Sequence, residues 1–108
     1  LEVIVRFHPS VSTYFNELID ILFYQGYFSY KESALNYVSK LIDVVENQIH
    51  KKKHNITPGV LWEKGRYYIH FNVNQNTTWY FIFEKRNNFY LITYVFNNYS
   101  KEAKELNF

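Results

Sequence analysis

The chain of 108 residues contains no cysteine and no methionine, and has only three glycines and two prolines. Without cysteine, disulfide frameworks and thiolate metal sites are excluded, and a reducing cytosol is compatible but not required. With no methionine anywhere, Leu1 is expected not to be the native start. No run of 18 apolar residues and no basic-then-apolar leader occurs, so neither a membrane span nor a signal peptide is expected. Charge of one sign is also scarce: twelve Lys and Arg face ten Asp and Glu, for a net +2 and a pI near 8.7. Nucleic-acid binding is permitted but not demanded, and any basic footprint has to be local. Rings are what the chain has in excess. Eleven Tyr, ten Phe and two Trp make 21% of it, which predicts one ring-filled core with little room for a ligand cavity. The length fits a single domain spanning residues 1–108.

Residues 66–98 read as three strands, RYYIHFNV, TTWYFIFEK and FYLITYVFN, rich in β-branched and aromatic residues. Asn74-Gln75-Asn76 and Arg86-Asn87-Asn88 are short enough to join them as hairpins, giving an antiparallel meander. Upstream, Leu1, Val3, Val5 and Phe7 alternate as in a half-buried strand that Pro9 ends. Ser10 is placed to cap a helix carrying Val11, Phe15, Leu18, Ile19 and Leu22, with Gly26 as its terminator. Ser29-Tyr30-Lys31-Glu32 has the form of a capping box. It opens an amphipathic helix with Ala34, Tyr37, Val38, Leu41, Ile42, Val45 and Ile49 on one stripe, antiparallel to the first. After His50-Lys51-Lys52-Lys53-His54, the Thr57-Pro58-Gly59 break leads to a further strand at residues 60–63. Residues 99–106 read as a short helix or a loose tail. The prediction is an α+β fold, β-α-α-β-β-β-β, with the helical hairpin packed on one face of an antiparallel sheet. Tyr67, Ile69, Phe71, Val73, Trp79, Phe81 and Phe83 should face the helices. Both faces of residues 90–96 are apolar, and the pattern assigns no register there.

This order, with Ala34-x-x-Tyr37-Val38-x-x-Leu41 on the second helix, a basic stretch, a Gly-aromatic strand and a terminal hairpin, resembles the RelE/ParE superfamily of bacterial type II toxins. Segments such as YFSYKESALNYVSKL, TTWYFIFE and LITYVFNNYS are similar to a Bacteroides-like branch of it. The likeness spans roughly residues 1–99. It implies a cytoplasmic toxin of a plasmid-stabilisation type, neutralised by a cognate antitoxin and needing no cofactor. The RelE branch implies cleavage of mRNA on the ribosome through the ribose 2'-hydroxyl. The ParE branch implies inhibition of DNA gyrase without catalysis, and an inactive member would only bind antitoxin. Lys51, Lys52 and Lys53 fall where RelE-like toxins carry basic residues, and Tyr99 matches a residue just past the last strand. Tyr68 falls where an Arg is expected, with Arg66 two residues away.

Cleavage through a 2'-hydroxyl needs a base, an acid and cations around the crowded phosphate. His70 has the intrinsic pKa for proton transfer and shares a strand face with Arg66, so the candidate catalytic set is Arg66, His70 and Tyr99. A lone strand histidine has the alternative of being packed or solvated. As RNA-binding candidates, Lys51, Lys52 and Lys53 could grip phosphates, Asn97 and Asn98 could bond base edges or phosphate oxygens, and Arg86 joins them at a hairpin tip. The lysines would equally complement a helix C-terminus, and Arg86, Asn97 and Asn98 would equally serve turns. His50 and His54 share metal-ligand spacing, but the three lysines between them repel a cation. Tyr68 and Tyr80 are candidates for stacking on RNA or docking a partner, on a sheet face away from the helices that is expected to be open. A face capped by the chain's own residues would count against the toxin reading and this site.

Overall fold

In the computed structural model, which describes residues 2–106, the chain forms strand β1 (Ile4–Phe7), helices α1 (Pro9–Tyr24) and α2 (Lys31–Gln48), then β2 (Asn55–Ile56), β3 (Tyr67–Asn72), β4 (Thr78–Arg86) and β5 (Phe89–Asn97). Two 3-10 helices complete it, at Gly59–Lys64 and Lys101–Leu106. The predicted α+β order is present, with both helices packed against the sheet. The five strands lie in the order β1-β5-β4-β3-β2. The expected meander is there, but the sheet is mixed rather than antiparallel, because β1 pairs parallel with β5. Successive reversals through two helices and four strands leave β5 running the same way as β1. The helical hairpin meanwhile carries the chain across the face to the opposite margin, the long crossover that a parallel pair requires.

Both helix starts differ from expectation. Helix α1 begins at Pro9 rather than after it, and the cap is His8, whose Nδ1 accepts the Ser10 N–H at 3.1 Å. Proline at the first helical position sacrifices an N–H that has no intrahelical partner. The other end follows prediction: Gly26 takes φ +80°, Tyr27 N donates to Leu22 O and Gly26 N to Phe23 O, a Schellman closure. The Ser29 capping box does not form. Helix α2 is shifted one residue, its cap is Tyr30 without a side-chain bond, and Glu32 stays in the first turn, where it favours the helix dipole. Among the described residues no helix is long and apolar enough to cross a membrane.

The principal core lies between the helices and the sheet. Val11, Phe15 and Leu18 from α1, and Val38, Leu41, Val45 and Ile49 from α2, meet Ile69, Trp79, Phe81, Phe83, Tyr90, Ile92 and Val95. Tyr67 and Phe71 join them as predicted, whereas Val73 lies beyond β3 and is exposed. The parity of β5 changes at a bulge. Phe83 pairs with Ile92 but Ile82 with Tyr94, so Thr93 is an extra residue.

The strand expected at residues 60–63 is instead the 3-10 helix Gly59–Lys64, and β2 forms earlier, at Asn55–Ile56. Gly65 dictates this. A Cβ there would stand 2.6 Å from Ile82 Cγ2 and 2.7 Å from Thr93 Oγ1, so the segment lies flat against the sheet's second face. Buried Thr57 fastens it, donating its hydroxyl to Gly65 O at 2.7 Å and its N–H to Arg66 O at 2.9 Å. Leu61 from this segment and Leu106 from the last 3-10 helix bury Tyr68, Tyr80, Ile82 and Phe96 in a second cluster. The second face is covered, not open.

Candidate functional site

The strand register fixes where the predicted site residues lie. Arg66 sits in the bend before β3, exposed, on the wall of a notch shared with Ile56, Trp62 and Tyr67. His70 follows four residues later on the same strand, about 13 Å along it. Its ring lies 5.9 Å from that of Tyr80, and burial, followed by the charge of Lys52, holds its pKa below the ordinary histidine value. Tyr99 lies at the other end of the sheet. Asn98 N donates to Thr78 O, and Thr78 pairs with Asn72, which puts Tyr99 roughly 20 Å from Arg66. An acid, a base and a cation working on one phosphate must each reach it within about 3 Å. The structure does not bring Arg66, His70 and Tyr99 together.

The three lysines diverge as well. Lys51 and Lys53 are exposed, but Lys52 folds back on the sheet margin, donating Nζ to His70 O and lying 4.5 Å from the centre of the Phe71 ring. The amides of Lys51 and Lys52 both donate to Gln48 O and close the end of α2. Arg86 flanks the β4–β5 turn, where Asn87 adopts φ +55°. Asn97 Oδ1 accepts from Tyr99 N at 2.9 Å. Asn98 accepts from Thr78 N and donates to Asn76 O, and the Tyr99 hydroxyl donates to the same carbonyl at 2.6 Å. These side chains tie the end of β5 to the β3–β4 turn.

Tyr68 and Tyr80, the predicted docking rings, are only 7% and 6% exposed. Tyr80 stacks on Phe96 at 5.0 Å and 13°, and burial raises both tyrosine pKa values. Their place on the face away from the helices is as predicted. The exposure is not, because Leu61 and Leu106 close over them. The Lys101–Leu106 helix is held by the Tyr94 hydroxyl donating to Glu102 Oε2. Burial first, then that bond, pushes the Tyr94 phenol up to about 12, and the same bond is the largest cause lowering Glu102.

Sequence reasoning missed a groove of about 430 Å³ on the helix side, at the end of the sheet where β5 finishes. Tyr14, Phe28, Tyr37, Trp79 and Tyr99 line it, with Trp79 Nε1 donating to Tyr37 Oη at 2.9 Å. The signal was the aromatic connection YQGYFSY between the helices, which leaves Tyr27 at the rim. No family model matches the chain, and neither a curated protein nor a solved structure matches it.

Proposed function

We propose that the chain is the toxin of a type II toxin–antitoxin pair, of RelE/ParE-like fold, which acts in the cytoplasm by gripping a macromolecular target rather than by cutting RNA. The element order carries this reading: a strand, a helical hairpin laid across one sheet face, and a meander that returns beside the first strand. That is the arrangement on which the resemblance rests. The scattering of Arg66, His70 and Tyr99 favours a binding mode within it, such as inhibition of gyrase, over cleavage. The second face, expected to be free for a macromolecule, is covered by the chain's own residues. This counts against the toxin reading and removes the docking role of Tyr68 and Tyr80, and the element order is what still supports the reading.

Inducible expression in bacteria tests the reading. Growth arrest relieved by a small reading frame adjoining this one, with intact mRNA, is the expected result. Unimpaired growth at a verified protein level would reject it. Ribosome-dependent cleavage has one observation in its favour, the adjacency of His70 and Lys52. Defined mRNA breaks that vanish in His70→Ala or Tyr99→Phe would establish cleavage in place of binding.

A further inference from the structure

We propose that the sheet margin at Asn55–Ile56, with Trp62 and Arg66 beside it, docks an extended peptide segment of a partner protein in which an apolar side chain alternates with a carboxylate. Strand β2 is the last in the sheet and pairs only with β3. Thr57 N donates to Arg66 O, which makes 57/66 and 55/68 the hydrogen-bonded pairs. Ile56, opposite Tyr67 in the pair between, therefore turns its N–H and C=O outward, where another strand would bond them.

Beside that edge is a notch of about 310 Å³, lined by Ile56, Trp62, Arg66 and Tyr67. Ile56 is 72% exposed and Trp62 61%, so two large apolar side chains stand exposed on this notch. Trp62 is fixed in place. Its Nε1 donates to Thr57 O at 2.7 Å, and Thr57 is itself buried and bonded to Gly65 O. The indole thus offers an apolar face with its own donor already satisfied, and binding loses little side-chain freedom. Exposed, pre-set tryptophans are the kind of side chain that dominates interfaces.

Charge decides which peptide fits. Residues 51–67 carry five Lys or Arg against one carboxylate, Glu63. Lys52 lies over the Phe71 ring and Lys64 over the Tyr94 ring, so the cation lining the notch is Arg66. Among the described residues the ion pair is Lys31–Asp20, and Arg66 forms none. A guanidinium at the rim of an apolar notch suits a planar carboxylate. Alternate residues of a strand stand about 7 Å apart on one face. One strand therefore delivers an apolar side chain to Trp62 and an acid to Arg66. A phosphodiester would satisfy Arg66 and could accept from the Ile56 amide, but it has no donor for the outward Ile56 carbonyl.

This surface goes beyond the toxin reading and stands whether or not the chain arrests growth. The test is titration of the ¹⁵N-labelled full chain with a capped Thr-Leu-Thr-Glu-Thr-Leu peptide and with its Glu-to-Lys analogue. Saturable shifts at the Ile56 amide and the Trp62 indole are expected, with the Lys peptide about tenfold weaker. Arg66→Glu should reverse that order. Ile56→Pro, which removes an N–H not used in pairing with β3, should abolish binding while the remaining spectrum stays folded. The proposal is overturned by absence of saturable shifts at Ile56 and Trp62 with either peptide, or by an unchanged order in Arg66→Glu. It is equally overturned if a six-nucleotide single-stranded RNA shifts the same signals at lower concentration than the acidic peptide.

Discussion

The three glycines make a graded test of how the second face is closed. At Gly65 an added methyl would lie 2.6 Å from Ile82 Cγ2 and 2.7 Å from Thr93 Oγ1, with Phe83 O at 3.4 Å. Neither near neighbour has room to retreat. Ile82 is fully buried in the central strand, and Thr93 Oγ1 is held by the carbonyls of Lys64 and Ile82. Overpacking of this kind costs about 1–3 kcal/mol, and φ of +156° adds about 1 kcal/mol for any other residue. Gly65→Ala should therefore destabilise by roughly 2–4 kcal/mol, lowering Tm by roughly 10–25 °C in a domain of this size. Gly26, at φ +80° but with open space around its Cβ position, should cost only about 1 kcal/mol on replacement by Ala. Gly59 has neither constraint, so Gly59→Ala should be neutral within about 0.5 kcal/mol. Urea and thermal unfolding followed by circular dichroism would rank the three. A Gly65→Ala protein as stable as Gly26→Ala would mean that the Gly59–Lys64 segment does not press on the sheet, and the account of the closed face would fail.

Leu106→Ala should cost about 2 kcal/mol or more in urea unfolding if the last 3-10 helix is seated as described, and nothing if the face is open. Tyr37→Phe removes the acceptor of the Trp79 indole N–H and should cost about 1–2 kcal/mol by the same measurement. Stability should also vary with pH through Tyr94 and Glu102. Glu102 is lowered, so its contribution is present above the ordinary carboxylate range and is lost as acid takes it through its folded value. Tyr94 is raised from 10.0 to about 12, so its contribution is full below pH 10.0 and lost as pH rises through about 12. Tyr94→Phe should flatten the acid limb and reduce the alkaline one, leaving there the part due to Tyr14, which burial also raises to about 12, and to Tyr68 and Tyr80, which burial raises too. Unchanged limbs in that variant would contradict the docking of the last helix through this bond.

The element order was legible because its signals were strong and local. The α2 stripe from Ala34 to Ile49 recurs at helical spacing, and Gly26 is needed for a left-handed turn. The turns at residues 74–76 and 86–88 were set by amide side chains that readily leave the common backbone regions. Helix starts were less legible, since a histidine ring acting as cap and a proline opening the helix look the same in sequence as a strand that proline ends. The register of β5 was hidden for a specific reason. Thr93 bulges, so the residues facing the helices change from Tyr90 and Ile92 to Val95, and no single alternation describes the strand. The site residues failed on separation: sequence places Arg66 and His70 on one face but does not show that Tyr99, just past β5, lies at the other end of the sheet.

The covered face was written in the strands themselves. In β4, five consecutive residues from Trp79 to Phe83 are buried, and a half-exposed strand would have polar residues at Tyr80 and Ile82. Apolar side chains on both faces of the two central strands demand a second layer. Among the described residues there is no third long helix to supply it, so two short 3-10 segments do, each contributing one buried leucine. A small domain with so many rings must close both faces, or the exposed one becomes an aggregation surface. The groups left to solvent are then set by where these segments run out. Residues 59–64 end beside the β2 margin and leave Trp62 and Arg66 at the edge, while the aromatic groove opens on the helix side beyond β5. The surface proposed to dock a peptide therefore lies at a rim of the sheet rather than on its face: substitution of exposed Trp62 should weaken peptide binding more than it lowers stability, and substitution of buried Tyr68 or Tyr80 should do the reverse.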